Sequence, residues 1–142
     1  MELLYISSVD ISRPSGPGVN EAQFVISAAI EYGPEAHFIL PSPESFLPKG
    51  VPLNQVTFLP RLNRRSVVSR ITQQAYRAYR ALQFLACHNV DYVVFRADVL
   101  PVAEYLIAKK SHSSFAKTVG GGDLSAVEGR LPKFASGFVA RL

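Results

Sequence analysis

The sequence has 142 residues, of which 48% are hydrophobic and 18% charged, a balance that excludes a disordered chain and fits one globular domain with its own core. Its net charge of +4 permits contact with phosphates, acidic lipid or nucleic acid without choosing among them. A single cysteine, Cys87, excludes an internal disulfide and fits a reducing compartment, and no run approaches the roughly 20 apolar residues of a membrane span. The opening MELLYISSVD carries an acid at Glu2 and too short an apolar run for a secretion signal, so the expectation is a cytoplasmic protein.

Residues 2–7 read as a buried strand. Residues 20–32 read as a helix, with Asn20 as N-cap, Gln23 completing a capping box, and Gly33-Pro34 as cap and stop. AHFIL (36–40) reads as a second strand. PSPESFLPKGVPLNQ has four prolines and no helical period, which predicts an irregular connection. VTFL (56–59) reads as a third, edge strand beside Pro60. Ser66 to His88 is the longest periodic segment, with Ile71, Ala75, Ala78, Leu82 and Leu85 on one face and Ser66 as N-cap. DYVVF (91–95) reads as a fourth strand, residues 98–110 as a helix with Pro101 in its first turn, and FAKTV (115–119) as a fifth strand. Strands alternating with helices predict an α/β fold: a Rossmann-like parallel β-sheet with helices on both faces.

In such a sheet, ligands bind beyond the carboxyl ends of the strands. SSVDISRPSGPGV leaves the first strand at that end and leads into a helix N-terminus, where free amides and the helix dipole favour an anion. Two readings follow for Gly16-Pro17-Gly18: a phosphate cradle, or a surface loop whose glycines only permit a turn. The dinucleotide fingerprint is excluded, because about ten residues separate the strand from Gly16 and Glu21 stands where the third glycine belongs. A P-loop is excluded because no Gly-Lys-Ser/Thr follows. Glu21 opposes a phosphate by placing a carboxylate at the positive helix end.

MELLYISS, then SGPGVNEAQFVISAAIEYGPEAHFILP, then NVDYVVFRADVLPVAEYLIAKK and FAKTVGGG follow one layout. It resembles the amino-terminal, acceptor-side domain of GT-B-type glycosyltransferases, closest to glycosyltransferase family four. The resemblance covers residues 1–122 and leaves 123–142 as the truncated start of a further element. It implies two Rossmann-like domains facing across a cleft. The first holds the acceptor, and the second, for which this length has no room, holds the nucleotide sugar. It implies that Gly16, Gly18 and Val19 face the donor diphosphate. It places Arg96, Asp98, Gly120, Gly121 and Asp123 at an acceptor cleft, where the family frequently carries His in place of Arg96. The implied function is hexosyl transfer from a nucleotide sugar to a sugar or lipid-linked acceptor. The chain alone is inactive on this view, the catalytic residues are unassigned, and no cofactor or metal is implied. A homodimer through the exposed interdomain face is a further expectation. The rival is a non-catalytic Rossmann-like module that binds a phosphorylated ligand or a protein partner.

The remaining candidates divide between bland and sharp readings. His37, His88 and His112 lack metal-ligand spacing, and Cys87 fits packing better than nucleophilic chemistry. Asp98 also fits a helix N-cap. Arg64 and Arg65 precede the long helix, and Arg70, Arg77 and Arg80 fall opposite its apolar face. That pattern is a solvated face, or a contact with an anionic membrane surface that would make the protein peripheral at the inner membrane surface. No RNA-binding signature or stacking platform supports nucleic acid.

Overall fold

The computed structural model describes residues 1–12, 15–60, 66–96, 102–111 and 114–117. The strands are β1 (Leu3–Ile6), β2 (Ala36–Leu40), β3 (Val56–Phe58), β4 (Tyr92–Arg96) and β5 (Ser114–Lys117). The helices are α1 (Gly16–Tyr32), α2 (Val67–Cys87) and α3 (Val102–Ala108). The five strands form one sheet in the order β3-β2-β1-β4-β5, and every neighbouring pair is parallel. The fold is therefore α/β and Rossmann-like. Chain order along the sheet reverses between β1 and β4, where Leu3 pairs with Tyr92 and Ile6 with Phe95.

β1 is buried along its whole length, and its side chains alternate between two cores. Leu3 and Tyr5 join Val25, Ala28 and Ala29 of α1 with Phe38 and Leu40. Leu4 and Ile6 join Ala81 of α2, Ile107 of α3, and Val93 and Phe95. Helices thus cover both faces, which is why LLYI is continuously apolar rather than alternating.

α1 begins four residues before the predicted start. Ser15, not Asn20, is its N-cap: the hydroxyl accepts from Gly18 N, and Pro17 occupies the first turn. Proline suits that place because an amide there has no intrahelical partner. Gly33 ends α1 at φ 55°, a conformation that disfavours L side chains, and Gln55 Nε2 donates to the Gly33 carbonyl at 2.7 Å. The proline-rich connection after β2 contains two short 3-10 turns, at Glu44–Phe46 and Leu53–Gln55. β3 is an edge strand.

α2 is capped by Ser66 as the sequence predicts, but its buried face is rotated. Arg77, Ala78 and Ala81 are buried, whereas Ile71 and Ala75, expected in the core, are exposed. Arg77, expected on an exposed basic face, is 3% exposed. Cys87, expected to pack, is exposed at the helix end. Length explains the bare first half of α2. Its 21 residues extend about 31 Å at 1.5 Å each, against about 17 Å for a five-residue strand. A crossover helix runs against its strands, so α2 overhangs the carboxyl edge of the sheet. Among the described residues, no helix is long and apolar enough to cross a membrane.

At the opposite, amino edge, the end of α2 packs on β2. Phe84 stacks on His88 at 3.9 Å between ring centroids, and His37 lies 4.6 Å from Phe84 and 5.7 Å from His88. Burial holds the His37 pKa below its ordinary value of 6.5; Glu2, 3.8 Å away, opposes the shift and His88 adds to it. The folded state therefore favours the neutral ring. Its contribution to stability is fully present above about pH 6.5, the unfolded value, and declines as pH falls below it. Denaturant midpoints should drop between pH 7.5 and 5 and drop less in His37→Gln; an unchanged pH slope in the variant would remove His37 as the source.

Candidate functional site

The carboxyl ends of β1 and β4 lie side by side where the strand order reverses, the position at which open α/β sheets form a crevice. The chain leaving β1 is tied down. Ser7 N donates to Ile39 O at 3.0 Å, and Ser7 Oγ accepts from Val9 N at 3.0 Å. Asp10 Oδ1 accepts from Ser12 N at 3.0 Å and from Ser12 Oγ at 2.6 Å, an Asx turn. Ile11 N donates to Ser42 Oγ at 2.9 Å, joining this segment to the one after β2. Ser7, Asp10 and Ser42 are buried.

The glycine stretch is the first turn of α1 rather than an open loop. Gly18 N is directed to Ser15 Oγ at 3.3 Å and Val19 N to Ser15 O at 2.9 Å, so two of the amides expected to meet an anion are engaged within the helix. Pro17 has no amide. Among the described residues, a Cβ at Gly16 would meet nothing within 4 Å.

Directly beneath this turn lies a buried ionic network. Strand alternation turns Val93 and Phe95 toward α2 and α3, which leaves Arg96 on the α1 side with Tyr5. Glu21, in the second turn of α1, is 0% exposed and faces the same side as Val25. Arg96 Nη1 donates to Glu21 Oε2 at 2.9 Å and lies 3.4 Å from the Pro17 carbonyl. The Tyr5 hydroxyl donates to Glu21 Oε1. Burial and the Glu21 carboxylate push the Tyr5 pKa far above the phenol range, so Tyr5 remains a donor. One carboxylate thus holds β1, α1 and β4 together through two charge-assisted bonds.

Of the residues singled out in the sequence, Gly16, Gly18, Val19 and Arg96 gather at this edge. Glu21, read there as an obstacle to phosphate, has its charge matched by Arg96 and is part of the edge's framework. Its signal was legible as an acid four residues before Val25 on the buried stripe; its partner, 75 positions away, was not. Arg70 and Arg80 lie on α2. Asp98, Gly120, Gly121, Asp123, Arg64 and Arg65 lie outside the described residues. Among the described residues, no cluster of three His, Cys, Asp or Glu side chains could hold a metal ion. A groove of ≈ 300 Å³ lined by Met1, Leu3, Tyr32, Tyr92 and Val94 lies at the amino end of the β1–β4 junction, opposite the carboxyl edge.

The chain matches no protein-family model, and comparisons with curated proteins and with solved structures give no match.

Removing one partner of a buried ion pair strands the other, at about 3–5 kcal/mol, whereas replacing both with neutral groups is far milder. Glu21→Gln and Arg96→Met should each lower denaturation stability by that order. The double variant should lose clearly less than the sum of the two, and strict additivity in the double-mutant cycle would show that the pair is not coupled.

Proposed function

We propose that the chain is the acceptor-side half of a GT-B-type glycosyltransferase, contributing to hexosyl transfer from a nucleotide sugar to a hydroxyl once a donor-binding domain completes it. The observation that carries this reading is the placement of the α1 N-terminus at the reversal between β1 and β4, braced from below by Arg96 and Glu21. In the transfer, negative charge builds on the departing diphosphate. A fixed helix N-terminus facing that charge lowers the barrier because it needs no reorganisation during the reaction. Ser15 and Pro17 leave few free amides there, so the dipole and the Gly16 end contribute more than a ring of hydrogen bonds. Arg96, already paired, acts by positioning the turn. The acceptor would occupy the crevice beside the Ser7–Ser12 segment.

A second reading, a non-catalytic module that binds a phosphorylated ligand or a protein partner, is favoured in its protein-binding form by the exposed apolar residues of α2.

Amide NMR during titration with UDP and UDP-sugars separates the two. The half-site reading expects shifts centred on Gly16, Gly18 and Val19 and a Kd in the millimolar range or weaker. Micromolar binding, about −8 kcal/mol, would mean that a complete site already exists here and would favour the module. Absence of shifts at the α1 N-terminus up to ~10 mM ligand, on the same affinity scale, would remove the donor role of this turn.

A further inference from the structure

The two faces of β4 are covered unequally. Val93 and Phe95 are 0% and 1% exposed beneath α2 and α3, whereas Tyr92 and Val94, on the α1 side, are only half-buried. Among the described residues, α1 is the helix on that side, and its Val25, Ala28 and Ala29 join a core built on β1 and β2. The groove of ≈ 300 Å³ lies just beside it, where Tyr32 in the last turn of α1 meets Leu3, Tyr92 and Val94. An all-parallel sheet keeps both faces of its inner strands covered, and β4 is an inner strand, paired with β1 and β5. The α1 side of β4 therefore calls for a second element next to α1.

The sequence downstream of β5 has the pattern of one. Residues 118–142, outside the described residues, follow a strand whose end lies beside Arg96 at the carboxyl edge. Leu131, Phe134, Ala135, Phe138, Val139 and Leu142 recur at intervals of three and four, the apolar face of a helix. Lys133, Ser136, Gly137 and Ala140 fall on the opposite side, and Pro132 suits a first turn. Twelve helical residues extend about 18 Å, against about 17 Å for a five-residue strand, so this segment matches β4 in length where α2 does not. The stretch 118–130 reaches up to about 43 Å when extended, ample to climb ~10 Å from the sheet to a helix layer. So short a helix containing Gly137 is marginal alone and depends on burying its apolar face. The α2 side has no comparable seat for that face at β4 among the described residues, since Val93, Phe95 and Ile107 are all exposed by 1% or less. We propose that residues 131–142 of this chain pack as a helix on the α1 side of β4, with Phe138 seated in the groove and Phe134 one turn nearer the carboxyl edge. This packing is independent of the glycosyl-transfer reading, so nucleotide titration and the following test fail separately.

The test is nuclear Overhauser spectroscopy on the full chain, with Ile, Leu and Val methyls and Phe rings selectively labelled. Contacts from the Phe138 ring to the Leu3 and Val94 methyls are expected. Phe134→Ala with Phe138→Ala should raise amide exchange at Val94 about tenfold and leave Val25 in α1 unchanged. No contact between Phe138 and either methyl overturns the proposal. Contacts to Leu106 or Ile107 in their place overturn it in favour of a crossover helix on the α2 side. Contacts that appear only between differently labelled copies in a mixed sample overturn it in favour of a neighbouring chain. Equal acceleration at Val25 and Val94 in the double variant would overturn the local seat on β4.

Discussion

A carboxylate without water must find its counter-charge inside the protein, and Glu21 finds Arg96. The pair is not an efficient source of stability, since desolvating both charges offsets most of their attraction. Its effect is on uniqueness. Any slide of α1 along the sheet would leave a buried charge unmatched, and so would any shift of β4 relative to β1. The Tyr5 hydroxyl takes the second carboxylate oxygen, so the same penalty applies to the central strand. The helix start, the strand reversal and the two elements that flank the crevice therefore stand in one arrangement.

That brace also reassigns the chemistry of the edge. Cations at the ends of strands are natural anion ligands, and Arg96 is well placed for such a role. With Nη1 held by Glu21 and its side chain 12% exposed, it acts as a fixed wall instead. What remains for a charged ligand is the field of α1 itself. A field from aligned peptides is weaker than a full positive charge, but it requires no ion pair to break first. On the proposed reading, such a field would act on a ligand held mainly by a second domain.

Much of the architecture could be read from the sequence. AHFIL emerged as a strand over its full length, Ser66 as the cap of α2, and Gly33 as the end of α1, because each depends on local chemistry. The failures have non-local causes. The α1 start lies earlier than the Asn20–Gln23 capping box suggests, because Ser15 followed by Pro17 is also a helix opening. The exposed first half of α2 could not be read from periodicity, since Ile71 and Ala81 both fit an apolar helical pattern and the length of the sheet decides which is covered. The Glu21–Arg96 contact had no local signature at all. At the carboxyl edge, the sequence names the glycine stretch and Arg96, but not the Glu21 contact that links them.

The central strand carries a cost in the order of synthesis. β1 leaves the ribosome before the other described strands, and β2 reaches one of its edges soon after. The other edge waits for β4, whose Tyr92 pairs with Leu3 across 89 positions. At about 5–20 residues per second, that is roughly 4–18 s during which a continuously apolar strand has an open hydrogen-bonding edge. Such an edge is a template for unwanted pairing between nascent chains. The ladder that β4 completes runs only from Leu3 to Ile6, so the open template is four residues long. A short first strand thus limits the chain's exposure to aggregation before its last partner exists.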